Sequence, residues 1–495
     1  MSLFVGIDLG TSAVKVLVLR DDGTTVAKTS AGYPLKHPAP DRTEQAVDDW
    51  WSALGAATRE AMTHVDANDV EAVALSGQLN GLVLLDDDLE PIEDAWIWLD
   101  QRGAELATRL ERDHGDTYRR TVVNPANPIY VGVKLAWLQR ERPDLAPQIA
   151  HVLLAKDVLN LRLTGVLATD HSDASCSLLY DVRSGGWDPR LLEIAGISRH
   201  VVPQVFPSDA VIGHVTPDAA RHTGLRTGVP VVAGAGDVAA LALGTGAVDV
   251  GTYAVTLGTA GHVITIADEV TDGGYDKIWQ MRHPVPDRVI RLGLVMSGGL
   301  CLQWFARSFA NEGADPTDAT YARVLEAAER APAGSRGVTF LPFLEGAATP
   351  FQDPGLTATF TGLRTQHGLG DAARAVLEGV AYNVRDSISL LESLGRPVGT
   401  VRLSEGGSRS PLWSQIIADV LQKPVVTLKE RDSSALGAAL LARQTTASAS
   451  LGEEVGRLLH GIEEAWYEPS KGSSDIYEDA YGRYRRLVGV LQDRA

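Results

Sequence analysis

Ile7-Asp8-Leu9-Gly10-Thr11-Ser12-Ala13-Val14 places alternating apolar residues on both sides of a Leu-Gly-Thr turn, and Val255-Thr256-Leu257-Gly258-Thr259-Ala260-Gly261-His262 repeats that arrangement about half a chain later. Alternation with period two marks a strand with one buried face, so each copy reads as strand, turn, strand. A repeat of this kind makes the chain internally duplicated, and two related lobes are expected to face each other across a cleft. Outward from the first copy, Val5, Ile7 and Leu9 alternate, as do Val14, Val16 and Val18, and Asp21-Asp22-Gly23 turns into a third strand. That is an antiparallel meander. Trp50, Trp51, Leu54, Ala57 and Ala61 then fall at helical spacing, and residues 70–75 form a strand ending in Ser76-Gly77. The pattern has become α/β.

Helices are predicted over 134–140, 156–163 and 189–195, and a fully apolar strand over 229–233 ends in Gly234-Ala235-Gly236-Asp237. A third glycine element, Glu405-Gly406-Gly407-Ser408, follows a strand over 401–404, and Pro411 opens a helix. The helix predicted over 433–442 is built from small residues around Gly437 and suits close packing. The chain divides accordingly into a first lobe over 1–248, a second over 249–445 and a tail over 446–495. The tail's basic helix, 481–488, is expected to dock back onto the first lobe.

At 495 residues the chain is too long for one hydrophobic core, and 44% hydrophobic against 22% charged residues places it in the ordinary globular range. The formal charge of −18 repels phosphate backbones and anionic headgroups, which argues against nucleic acid and membrane partners. Cys176 and Cys301 lie far apart with no paired spacing, as a reducing compartment permits, and the expected location is cytoplasmic. The apolar stretch before Asp8 is too short for a signal peptide, and the uncharged run over 250–267 is broken by Gly251, Gly258 and Gly261.

A Gly-Thr-Ser turn directs backbone N–H groups and short hydroxyls at one spot, an anion nest for a terminal phosphate. Two such turns, Gly10-Thr11-Ser12 and Gly258-Thr259, would grip a nucleotide's phosphates from both sides. Asp8 sits on an apolar strand, where a carboxylate needs a partner; hydrated Mg²⁺ is one, and capping the turn is the other reading. Asp237 reads equally as a general base for a substrate hydroxyl or as the N-cap of the following helix. Lys15 either reaches a phosphate or is a solvated strand lysine. Gly406-Gly407-Ser408 would let the backbone pass under a purine. The twelve histidines show no metal-ligand spacing.

Taken together, Gly6-Ile7-Asp8-Leu9-Gly10-Thr11-Ser12, Leu257-Gly258-Thr259-Ala260-Gly261, Gly234-Ala235-Gly236-Asp237 and Glu405-Gly406-Gly407-Ser408-Arg409-Ser410 resemble, in order, the motifs of the FGGY carbohydrate kinases. That family lies within the actin, hexokinase and Hsp70 superfamily, and its xylulokinase branch is the most similar. The resemblance extends through Lys134-Leu135-Ala136-Trp137-Leu138, 341–346 and 361–378, nearly the whole chain to about Ala442. It implies two ribonuclease-H-like lobes around a central cleft, ATP and Mg²⁺ as cofactors, and phosphoryl transfer to a small sugar, with a homodimer as an open alternative to the monomer. It further implies Asp237 as catalytic base and metal contact, Asp8 as metal contact, and Gly10, Thr11, Ser12, Lys15, Gly258, Thr259, Gly406, Gly407 and Ser408 at the nucleotide. Gln78, Leu79 and Asn80, with Asp237, would meet the sugar.

Two departures bear on the acceptor. The xylulokinase branch typically has Gly-Gln-Met-His-Gly where this chain has Gly77-Gln78-Leu79-Asn80-Gly81, and an Asn where Val238 stands. Both changes are expected to weaken binding of D-xylulose. The resemblance still makes a ketopentose such as xylulose the default acceptor, but only the default, with ribulose, a tetrulose or a polyol as alternatives. The rival of another class is an ATP-driven binding or filament protein of the same superfamily, which would need no sugar loop.

Overall fold

The computed structural model describes residues 2–459, 461 and 463–492. Strands β1 (Leu3–Leu9), β2 (Ala13–Arg20) and β3 (Thr25–Gly32) form the antiparallel meander, with Ile7 opposite Val16 and Leu9 opposite Val14. Alternation turns Val14, Val16 and Val18 inward, where Trp50, Leu54, Ala57 and Ala61 of helix α1 (Val47–Met62) cover them. Strand β4 (Val70–Gly77) runs parallel to β1. Helices α2 (Val131–Glu141) and α3 (Ala155–Thr164) precede β5 (Val211–His214) and β6 (Pro230–Gly236), which complete a sheet of order β5-β6-β4-β1-β2-β3. Helix α4 (Asp237–Gly244) leaves β6 directly.

The second lobe repeats this plan. Strands β7 (Tyr253–Leu257), β8 (Gly261–Ala267), β9 (Trp279–Arg282) and β10 (Val289–Val295) are antiparallel neighbours. After helix α5 (Leu369–Ser393), strand β11 (Val401–Ser404) pairs parallel with β7; helix α6 (Pro411–Leu421) leads to β12 (Val425–Leu428), parallel to β11. Helices α7 (Ser433–Gln444) and α8 (Leu451–Leu459), strand β13 (Glu463–Tyr467) and helix α9 (Ser473–Gln492) close the chain. The sheet order is β9-β10-β8-β7-β11-β12-β13. Apart from β9, it matches the first sheet role for role: a meander, two parallel strands and an antiparallel edge. The duplication seen in two short motifs therefore extends through the whole architecture, and both Leu-Gly-Thr turns leave the carboxyl ends of the central strands β1 and β7. Ligands of open α/β sheets bind at those ends.

The lobes share one apolar layer. Phe4, Leu17 and Ala74 from the first sheet and Ala254, Ile264 and Ile290 from the second pack around Ala239 and Leu243 of α4 and Ala439 of α7. The two helices cross so closely that a Cβ on Gly437 would stand 1.8 Å from the carbonyl oxygen of Ala240. Only glycine fits there.

The tail departs from the expectation that it docks on the first lobe. Tyr477, Ala480, Tyr484 and Val488 form an apolar stripe on α9 that joins Phe340, Leu377 and Trp413 in the core of the second lobe. Arg374 donates to the Tyr477 hydroxyl at 2.9 Å, and Arg485 pairs with Asp386 at 2.6 Å. The segment that does meet the first lobe is α8, whose Leu451, Val455 and Leu458 pack in the layer containing Leu17 and Leu19. The basic helix was expected on the first lobe, whereas the spacing of its tyrosines packs it into the second. Residues 1, 460, 462 and 493–495 of the expected spans lie outside the described residues.

Candidate active site

The first turn is held so that its amides face outward. Gly10 O accepts from the Tyr33 hydroxyl, Thr11 O from Gln45 Nε2 at 2.7 Å, and Ser12 O from Tyr33 N at 3.1 Å. In a trans peptide the N–H points opposite to the C=O, so these bonds turn the N–H groups of Thr11 and Ser12 away from the protein body. The second turn is built alike: Gly258 O accepts from Gly299 N at 2.6 Å, and Thr259 O from Gly298 N at 3.0 Å and Leu300 N at 3.1 Å. Ser12 and Thr259 are exposed. Two outward-facing amide nests are a fit receptacle for an anion such as a phosphate chain.

Asp8, next to last in β1 beneath the first turn, is buried and accepts from Ser76 Oγ at 2.5 Å. Burial raises its carboxyl above the ordinary carboxylate range. Asp237 is the first residue of α4 rather than its N-cap, which is Gly236. Its carboxylate accepts the N–H of Val238 at 2.8 Å, yet burial, with the charge of Asp8 adding, pushes it up to about 7. Such a group is poised to exchange a proton at neutral pH. Across the cleft Glu405, also raised to about 7 chiefly by burial, interacts with Lys15, Asp432 and Asp8. Its φ of 67° in a non-glycine residue is the kind of backbone strain that clusters at functional sites.

Lys15 is ion-paired with Asp432 at 3.0 Å across the lobe junction, so its side chain is already engaged rather than extended to a ligand. Gly406 and Gly407 lie beside the second turn: a Cβ on Gly407 would stand 2.6 Å from Leu257 Cβ, so packing against the turn itself requires glycine there. The Ser408 hydroxyl donates to Glu405 O at 2.7 Å and is used within the loop itself.

The sugar-loop residues separate by role. Gln78 is 1% exposed and turned inward onto Gln45, its Nε2 2.8 Å from Gln45 Oε1, so its side chain braces the loop instead of lining the cleft. Leu79 is partly exposed and packs against Gly236, where a Cβ would stand 2.3 Å from Leu79 Cδ2. Asn80 takes a left-handed backbone conformation, φ 64°, and its Oδ1 has no partner although buried. Val238 packs into the layer between the lobes, so the amide expected to be missing from the sugar wall would not have pointed there in this chain.

Three residues of the site were not foreseen. Lys134, fully buried, donates to the carbonyls of Asn80, Trp96 and Ile97 at 2.6, 3.1 and 2.8 Å, and so fastens the sugar loop to the neighbouring segment. Burial lowers its ammonium to about 7. Trp98, 41% exposed, donates from Nε1 to Thr11 Oγ1 at 3.0 Å. Gln45 is the third. A lysine inside an apolar helical stretch was the available signal for Lys134; nothing local marked the other two.

Among the described residues no group of three or more His, Cys, Asp or Glu side chains is arranged to hold a metal ion by itself, and no helix is long and apolar enough to cross a membrane.

The models for the N-terminal and C-terminal domains of the FGGY family of carbohydrate kinases match residues 3–244 and 253–444. A xylulose kinase of Escherichia coli is 35% identical over 444 residues, covering 89% of this chain and 90% of the relative. A gluconokinase of Bacillus subtilis is 28% identical, covering 90% and 88%. The crystal structure of xylulose kinase from Rhodospirillum rubrum superposes with a TM-score of 0.90 at 30% identity over 99% of both chains.

Proposed function

The chain belongs to the FGGY family of carbohydrate kinases and phosphorylates a sugar hydroxyl from ATP; we propose that the acceptor is a ketopentose, D-xylulose first, with Asp237 as the base. The observation that supports this reading best is the position of Asp237 at the start of α4, its carboxylate accepting the Val238 N–H at 2.8 Å beside the sugar loop, where Leu79 packs on Gly236 and burial pushes the carboxyl up to about 7. Asp237 takes the proton from the acceptor hydroxyl as that oxygen attacks phosphorus. The outward amides of Thr11, Ser12, Thr259 and Ala260 hold the phosphates, and Gly406-Gly407 lies along the nucleoside. Mg²⁺, when bound, neutralises the phosphate charge. Asp8 and Asp237 would meet it through its water shell, which suits a site lacking a metal cage of its own. The reaction belongs in the cytoplasm, where ATP is available.

The E. coli relative is a xylulose kinase and the B. subtilis one a gluconokinase, so gluconate is the competing acceptor. The higher identity to the xylulose kinase, 35% against 28%, favours the ketose over gluconate. Steady-state rates on D-xylulose, D-ribulose, a tetrulose, a pentitol and gluconate test this. We expect kcat/KM for the favoured ketose to exceed that for gluconate by about a hundredfold, and Asn80→His to raise kcat/KM for D-xylulose about tenfold, the effect of supplying one unmatched hydrogen bond. A preference for gluconate would overturn the ketose reading.

A further inference from the structure

Gln45 lies wholly buried beneath the first turn, and its amide meets three groups. The indole Nε1 of Trp50, 3.0 Å away, can only donate, and the Thr11 carbonyl, 2.7 Å away, can only accept. These two neighbours fix which side of the Gln45 amide is oxygen: Oε1 faces Trp50, and Nε2 donates to Thr11. The same Oε1 accepts from Gln78 Nε2 at 2.8 Å, so the Gln78 amide is fixed in turn. One residue further on, Leu79 packs against the residue just before Asp237: a Cβ on Gly236 would stand 2.3 Å from Leu79 Cδ2.

We propose that Gln45 is a positioning residue for phosphoryl transfer, setting the Thr11–Ser12 peptide and the Gln78–Leu79 loop in one arrangement. The inference rests on the reading in which the first turn holds the ATP phosphates and Asp237 is the base. By holding Thr11 O, Gln45 turns the Ser12 N–H outward toward the phosphates. By holding Gln78, it sets the loop whose next residue, Leu79, packs on Gly236 at the start of the helix that carries the base. Gln45 touches neither substrate, and its effect passes through Thr11 on one arm and Gln78 on the other. Small displacements of such supports are costly in a transfer reaction, which depends on the alignment of nucleophile and phosphorus.

Two substitutions separate the arms. In Gln45→Glu, titrated at about pH 9 so that the buried carboxyl is ionised, the side chain still accepts from Trp50 and Gln78 but has no hydrogen for Thr11 O, so the phosphate arm alone is cut. Gln45→Met keeps the length and cuts both. Calorimetric titration with the Mg²⁺ complex of a non-hydrolysable ATP analogue reads the first arm without turnover. Gln45→Glu should weaken that binding about tenfold while KM for D-xylulose stays within about twofold. Gln45→Met should show the same loss and also lower kcat by about tenfold or more, with KM for D-xylulose raised as the Gln78–Leu79 loop loosens. Wild-type analogue binding in Gln45→Glu, or a Gln45→Met protein whose only change is a lower unfolding temperature, would overturn the proposal. If the wild-type chain phosphorylated no sugar of the panel, the acceptor reading would fall, while the calorimetry would still decide the phosphate arm.

Discussion

Asp237→Asn is expected to lower kcat by about two to four orders of magnitude while leaving binding of the ATP analogue nearly intact. The amide keeps the size of the side chain and still accepts from Val238, but it cannot take a proton. The wild-type pH profile carries the same information. Because the carboxyl is raised to about 7, it is protonated and inactive as a base below that value, so kcat/KM should fall about tenfold per pH unit on the acid side. The stability effect has the opposite sign. A carboxyl whose pKa is raised on folding opposes folding once it is ionised, so the Asn variant should be at least as stable as wild type at pH 8. Retention of a tenth or more of wild-type kcat would leave Asp237 as a structural helix-start residue.

Lys156→Met is expected to be the most destabilising of the changes considered. Lys156 on α3 lies with no exposure among three equally enclosed carboxylates, Asp157 at 2.6 Å, Asp170 at 3.0 Å and Asp173 at 3.4 Å. Asp170 also accepts from Ser172 and Ser208, and Ser172 Oγ accepts from Gly236 N at 3.1 Å, so the cluster supports the residue just before Asp237. Removing the one cation leaves three buried carboxylates without compensation, which costs about 3–5 kcal/mol. Urea unfolding followed by tryptophan fluorescence should show the first-lobe transition moved to markedly lower denaturant, with sugar phosphorylation lost in the same range. A midpoint change equivalent to less than about 1 kcal/mol would mean that the carboxylates reach protons or water by another route.

The fold was legible because its signal is local and repeated. The alternation around Leu9-Gly10-Thr11 and Leu257-Gly258-Thr259 gave both central hairpins, and the small residues around Gly437 announced a helix crossing, which the 1.8 Å approach to Ala240 explains. Asp237 was legible as a candidate at the glycine-rich exit of an apolar strand, where it read equally as base or helix cap until the family resemblance favoured the base. What stayed hidden depends on distant parts of the chain meeting. Gln45 gains meaning only when Thr11, Trp50 and Gln78 surround it. Lys156 looks like an ordinary helical lysine until Asp170 and Asp173 fold over it. Gln78 and Val238 were both read as facing the sugar because each adjoins a motif; strand and helix geometry turn their side chains inward. The tail failed differently: its basic helix was expected on the first lobe, and its tyrosines, at helical spacing, set the packing against α5 and α6 of the second.

The central claim is that this cleft delivers a phosphoryl group from ATP to a sugar hydroxyl through Asp237. Its most direct measurement is ADP formation by the wild-type chain and by Asp237→Asn, with and without D-xylulose, alongside the mass of the sugar product. The account predicts ADP release that depends on the sugar, one phosphoryl group gained by the sugar per ADP formed, and loss of both in Asp237→Asn. ADP formed at the same rate without any sugar, or sugar phosphate made equally well by Asp237→Asn, would contradict it.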